Sequence, residues 1–563
     1  MSLPREVWAQ IFIQLDKKTL KSCLEVSKVF REIIYSNTCL MRKLPLCFLN
    51  DSWIVKLPFV RKYGHCVREI KFDDCGFSSI SEVRYILKAT PNVEKLIFFN
   101  CYLKSENENE GESTLNVEPL RELNGDDEEN EQSLEDGIVN HAVIVPSIIE
   151  EPQNSVQPQV EPGTSQILDE GSAERAIDVP ILSHVPETEL DDIPLKLDRL
   201  VSLQVDSSSI AECLIRDLRN CSKLVYLKMT FFYQQPNFMF TDFICSQTCL
   251  TELYLVGWSD MVFKSIFNID INHRIKFRLK KFMLECEMNY HSNFSTFLQL
   301  QSDSLEEFDL CGYNINFHYY RVIFNHFHKL KKITLPIDWF LTDERRNDIR
   351  NCRIESLKEL NLVGSNDDIT IFKTVMNIFP NIEILKAENL MYFSLHDFIE
   401  RYENLRHLKI ENFRVEVLTF VKLKSLKILE VNYLYPMALS FFWENLAENN
   451  PNIEQIIIRD IGHFKLTESI QTEISIIVNI LRLFSNLKYC EIISNPQEPL
   501  VNGDEDNHDH GNRAFEHPFF KIIVENNPSK KRTLKVSQYF AVHCPLDLIT
   551  LRDTFKDCDL ILI

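Results

Sequence analysis

The sequence predicts an α/β chain: a small N-terminal three-helix module, then an irregular solenoid of short parallel strands and helices, interrupted by a long disordered acidic insertion. Three observations predict it. Apolar residues over 3–44 recur at helical spacing, a leucine-led pattern returns about every 26 residues through most of the remainder, and the entire net charge of −21 falls in one segment.

The first helix carries Val7, Ile11, Phe12 and Leu15, whose steps of four, one and three make one helical stripe. Ser2 stands where a cap would, and Pro4 suits a first turn, where its missing N–H costs nothing. Leu20, Cys23 and Leu24 mark a second short amphipathic piece, and Ser27 reads as the cap of a third helix bearing Phe30, Ile33 and Ile34. A module of about 40 residues makes a poor core by itself. Trp8, Ile13 and the Leu3-Pro4 lead-in add apolar surface that two small neighbours cannot cover, so part of it is expected to meet another chain or the next domain.

These residues resemble the F-box. The match runs through Leu3-Pro4-x-Glu6-Val7-x-x-x-Ile11-Phe12-x-x-Leu15 and Leu20-x-x-Cys23-x-x-Val26-Ser27-x-x-Phe30, with Phe30 where the family usually carries Trp. The resemblance implies docking on the Skp1 adaptor of a cullin–RING ubiquitin ligase through Leu3, Pro4, Val7, Ile11, Phe12, Leu15, Leu20, Cys23, Val26 and Phe30.

The repeat begins with Val67-x-x-Ile70-x-Phe72-x-x-Cys75, which returns as Val93-x-x-Leu96-x-Phe98-x-x-Cys101. The L-x-x-L-x-L pattern then resumes at Leu200, Leu224, Leu250, Leu279, Leu305, Leu330, Leu357, Ile382, Leu405, Leu426, Ile453 and Leu487. That period lies inside the leucine-rich-repeat range. Leu360 and Leu362 alternate like a strand buried on one face. Helical stretches precede several starts, such as 368–379 before Ile382. Pro91-Asn92, Pro380-Asn381 and Pro451-Asn452 end three of these helices, with Pro stopping the helix and Asn tolerating a tight turn. Steps range from 21 residues (Leu405 to Leu426) to 34 (Ile453 to Leu487), so irregular curvature is expected. From residue 3 to about 495 the chain resembles F-box proteins with leucine-rich repeats.

Alternation also predicts the partner-binding strand face, with Tyr226, Lys228, Glu252, Tyr254, Glu359, Asn361, His407, Lys409 and Arg459 upon it. Mixed charge with tyrosines suits a protein better than a phosphate backbone. The expected divisions are 1–45 for the helical module, 46–103 for the first repeats, 104–192 for the insertion, 193–500 for the solenoid, and 501–563 for an acidic and His-containing loop with a capping repeat.

Residues 104–192 hold 24 acids, three bases, seven prolines and no aromatic residue, a composition that cannot bury enough surface to order itself. The remainder balances at 58 bases and 58 acids, which argues against nucleic acid as a partner. Within the insertion, the β-branched run 142–149 is a short motif able to add to a partner's sheet edge.

Glycine numbers only 13, which disfavours phosphate loops, and no apolar run is long enough to span a membrane. The N-terminus has no signal-like core, so a soluble cytoplasmic or nuclear location is expected, with the 16 cysteines reduced. No Cys-x-x-Cys pair occurs, and Cys245 with Cys249 lacks a second ligand pair. Residues 504–510 crowd carboxylates with imidazoles but lack the spacing of a calcium loop, and 529–532 is a basic turn. The expectation is a non-catalytic subunit without metal or cofactor, recruiting an unidentified protein for ubiquitination. The alternative is a scaffold or acidic chaperone that holds basic proteins through 104–192.

Overall fold

The computed structural model describes residues 3–50 and 53–104 and then, with interruptions in connecting loops, 195–562. The longest stretches outside that description are 105–194, 460–478 and 495–519, so the readings of the insertion, of 142–149 and of 504–510 lie outside the described residues. The chain divides into two units, Met1–Ser105 with Thr188–Ile563, and Glu106–Glu187. All the helices and strands described below belong to the first unit.

Four helices, rather than three, open the chain: α1 (Arg5–Gln14), α2 (Lys17–Val26), α3 (Lys28–Ser36) and the short α4 (Thr38–Met41). The first begins at Arg5, so its cap position falls on Pro4 and not on Ser2; the Pro4 carbonyl accepts from the Val7 and Trp8 amides. Asp16 caps α2 by accepting from the Thr19 amide at 2.7 Å, and Ser27 caps α3 through the Phe30 amide at 3.1 Å. Asn37 accepts from both Cys39 and Leu40, which is why a fourth helix starts there. Each cap satisfies a donor that the helix itself leaves open, typically worth about 1 kcal/mol.

Further helices follow as α5 (Trp53–Tyr63), α6 (Ile80–Ala89), α7 (Ser208–Leu218), α8 (Phe238–Ser246), α9 (Ser292–Gln301), α10 (Phe317–His326), α11 (Ile369–Ile378) and α12 (Leu439–Asn449). The strands are β1 (Leu46–Leu49), β2 (Glu69–Asp73), β3 (Gly76–Phe77), β4 (Lys95–Phe99), β5 (Tyr102–Leu103), β6 (Ser202–Val205) and β7 (Tyr226–Phe231). They continue with β8 (Glu252–Gly257), β9 (Lys281–Glu285), β10 (Glu307–Cys311), β11 (Lys332–Pro336), β12 (Glu359–Val363), β13 (Ile384–Glu388) and β14 (His407–Glu411). The last six are β15 (Ile428–Asn432), β16 (Gln455–Arg459), β17 (Tyr489–Ser494), β18 (Phe520–Glu525), β19 (Arg532–Val536) and β20 (Cys558–Leu562).

Apart from the small β3–β5 pair, each strand through β17 lies parallel beside its predecessor in one sheet. Every anticipated start from Leu200 to Leu487 is buried and sits two residues before its strand, as Leu357 precedes Glu359. Two features depart from expectation. The leading strand β1 lies outside the repeat pattern of the sequence, yet it pairs with β2 so that Phe48 meets Phe72. Beyond β17, a strand reversal appears that the repeat pattern does not announce: β18 is antiparallel to both β17 and β19, while β20 returns to parallel beside β19.

Packing explains the first strands. Phe48, Phe72 and Phe98 stack at 4.8 Å between successive ring centroids, all fully buried. Such ring pairs add about 0.5–1.5 kcal/mol beyond the area they bury. Two residues after each ring the chain turns through the left-handed region, at Asn50, Asp74 and Asn100, residue types that tolerate it. The Pro-Asn asparagines do something else. Asn92 donates to the His65 carbonyl, Asn381 to that of Glu355 and Asn452 to that of Lys424, so each side chain bridges to the preceding segment; none has positive φ.

The sheet runs on across the insertion. β4 pairs directly with β6, Leu96 beside Leu203. Arg84 of α6 clasps Asp217 of α7 with two bonds, 2.7 and 3.1 Å, joining helices from either side of the insertion.

Candidate docking surfaces

The helical module encloses its own core of Phe12, Leu20, Ile33, Ile34, Leu40 and Leu44. Trp8, Phe12 and Phe30 bring their rings within 4.6–5.7 Å of one another at its centre. The ten residues expected at the adaptor therefore divide. Phe12 (1% exposed) and Leu20 are consumed inside the module, and Leu15, Cys23 and Phe30 are half-buried against it. Leu3, Pro4, Val7, Ile11 and Val26 remain exposed, Val26 at 69%.

Val7 and Ile11 are one turn apart on α1, and Leu3 leads into them, so a single stripe faces outward. Val29 is also exposed and is absent from the motif; its signal is helical phase, since Phe30, Ile33 and Ile34 already fix the inward side of α3. The module is tied to the sheet by Lys17 on Glu69 at 2.5 Å and by Tyr35 against Phe59 of α5.

The second candidate is the strand face opposite the buried leucines. Side chains at the first, third and fifth positions of most strands are only half-buried there. All nine residues expected on this face lie on it, spread over β7, β8, β12, β14 and β16. They fall into two clusters.

Around β12–β16 nearly every charge has a partner. Glu359 lies between Lys386 (2.7 Å) and Lys332 (3.1 Å), His407 Nε2 meets Glu430 at 3.0 Å, and Lys409 bonds Glu411. Burial alone would raise the Glu359 carboxyl, but the bonds from Lys386 and Lys332 outweigh it and hold it below the usual carboxylate range. The His407 bond likewise lowers Glu430. Asn361 neighbours Lys386 in register, and Arg459 ends β16 exposed.

Around β7–β8 the character is different. The Tyr226 and Tyr254 rings lie 5.2 Å apart, and Tyr254 Oη donates to Glu252 at 3.4 Å. Lys228 is drawn to Asp206 (3.5 Å) and Lys281 to Glu307 (3.3 Å). Burial and then the Glu252 carboxylate push both phenols up, with Asp206 adding to Tyr226 and Glu307 to Tyr254.

Among the described residues no three His, Cys, Asp or Glu side chains are grouped to hold a metal, and no helix is long and apolar enough to cross a membrane. Burial pushes the Cys221 and Cys490 thiols up to about 11 and about 12, away from nucleophilic use.

No curated protein matches the chain. Among solved structures, a chain of "Crystal structure of TLR13-ssRNA13 complex" aligns at 12% identity and a TM-score of 0.29, covering 54% of this chain and 47% of that one. This chain thus spans about half the length of that one. The F-box-like family model matches residues 1–46, the stretch occupied by the four helices and the first residue of β1. The chain carries an F-box-like domain at its N-terminal helices.

Proposed function

We propose that this chain is the substrate-recruiting subunit of an SCF-type cullin–RING ubiquitin ligase. The F-box-like helices dock on a Skp1-type adaptor, and a leucine-rich-repeat solenoid offers its strand face to a target protein. The subunit supplies no reacting group. It raises the target's effective concentration near a ubiquitin-charged enzyme, which is catalysis by positioning.

The observation that carries this reading is the outward stripe of Leu3, Val7 and Ile11 on a module whose core is already filled by Phe12, Leu20 and the aromatic trio. Apolar side chains left exposed together beside a complete core mark an interface. The strand face supports the second half, because its half-buried tyrosines and the exposed Arg459 are residue types that anchor protein interfaces.

The test is retention of a purified Skp1-type adaptor by the immobilised full chain. Wild type is expected to retain it, and Val7→Asp/Ile11→Asp to lose it by at least about tenfold while melting at the same temperature. If the wild-type chain retains no adaptor, the ligase reading is wrong.

A further inference from the structure

The geometry points to a cation-binding spot at Tyr226, Tyr254 and Glu252 on the strand face, and we infer that it takes an arginine side chain presented by the partner protein. The inference rests on the reading that this face receives a protein.

Three observations converge there. First, two phenol rings stand 5.2 Å apart and tilted, both half-buried, so their faces are fixed with little rotamer freedom left to lose. Second, Glu252 sits in register beside Tyr226 on one side and Lys281 on the other, yet no salt bridge reaches it among the described residues. Lys281 bonds Glu307 and meets the Glu252 charge only at longer range, and Lys228 turns to Asp206, so the side-chain hydrogen bond to Glu252 is the phenol's from Tyr254. Third, carboxylates outnumber cations around the pair: Asp206, Glu252, Glu285 and Glu307 against Lys228 and Lys281. Burial is the main cause that raises both phenols, and the Glu252 carboxylate adds to it.

Elsewhere on the face the carboxylates Glu359, Glu411 and Glu430 are already bonded by lysine or histidine, and Glu491 has a single tyrosine, Tyr489, where Glu252 has a pair of rings beside it. A guanidinium suits it better than an ammonium. It lies flat on a tyrosine ring while its edge bonds a carboxylate, whereas an ammonium has no plane to stack. Bonded to a carboxylate on a half-buried surface, such a group serves as an interface anchor.

The test is panning of a random dodecapeptide phage library against the immobilised full chain, wild type and Glu252→Gln, at physiological salt. Peptides recovered on wild type are expected to be enriched in arginine, and that enrichment to vanish on Glu252→Gln. One recovered peptide is then measured against both proteins, alongside its version with citrulline in place of arginine. Each single change is expected to cost about tenfold in affinity, and the two together little more than one. Matching circular dichroism melts for the two proteins keep a folding defect out of the comparison.

Arginine enrichment that persists on Glu252→Gln overturns the inference and assigns the binding to other acidic residues of the chain. Recovered peptides without arginine also overturn it, while leaving recruitment by this face intact. If wild type recovers no peptide, both the inference and protein recruitment by this face fail. Adaptor retention is a separate measurement, so its failure leaves this result standing.

Discussion

Asn450 shows how a single polar side chain closes the backbone account behind a strand. Nearly fully buried, it accepts the Leu423 amide at 2.7 Å and donates to the Leu446 carbonyl at 3.1 Å. Gln301 does the same for the amide of Leu279 at 2.8 Å. Replacing Asn450 with Leu leaves a buried N–H without an acceptor, which costs about 1–3 kcal/mol; urea unfolding of the variant should show a loss of that size. Glu359 gives the pH-dependent counterpart. Its carboxyl is held below its unfolded value, so the stabilisation is present at neutral pH and lost as pH falls through the folded value. Wild type should therefore exceed Glu359→Gln by about 1 kcal/mol at neutral pH, and the two unfolding midpoints should converge in acid.

At this scale the sequence is unevenly legible. The leucine starts can be read because one apolar residue at a fixed offset recurs in each of them. The split within the adaptor set cannot, because Val7, Ile11, Phe12 and Leu15 form one stripe on paper. Only the packing of Trp8 and Phe30 onto Phe12 shows which part faces in.

Between elements, α6 and α7 are joined by the Arg84–Asp217 pair, whose side chains are 11% and 12% exposed. A pair so enclosed is costly to break from one side only, because the survivor is left charged and unpartnered. Arg84→Met should lower stability by about 3 kcal/mol, and Arg84→Met/Asp217→Leu should recover most of that loss in the same denaturation assay. The elements that escape sequence reading have physical reasons too. In β1 the inward residues Leu46 and Phe48 follow Leu44 by two and four positions, where the other strands place theirs three and five after the start, and Pro45 intervenes. The reversal at β18 leaves no trace in the sequence, since alternation encodes which face is buried but not the direction of the neighbouring strand.

For the molecule as a whole, one contiguous apolar core extends from Leu46 to Leu551, and the insertion enters and leaves between two strands that pair directly. Removing 106–192 and joining the ends with a short glycine–serine linker should leave the melting temperature within a few degrees of wild type and adaptor retention unchanged, while removing all of the −21 charge. Circular dichroism melting and the adaptor assay check both outcomes.

The constant two-residue offset between each leading Leu or Ile and its strand has a consequence for descent with change. Each strand from β6 to β17 sets its own phase from one side chain immediately upstream, so a gain or loss of residues between strands does not carry forward into the next. The spacing between starts can drift from 21 to 34 residues, and a segment of nearly 90 can be spliced in, while Leu203 still lands beside Leu96. Length is thus the freely heritable variable of this chain, and phase the guarded one.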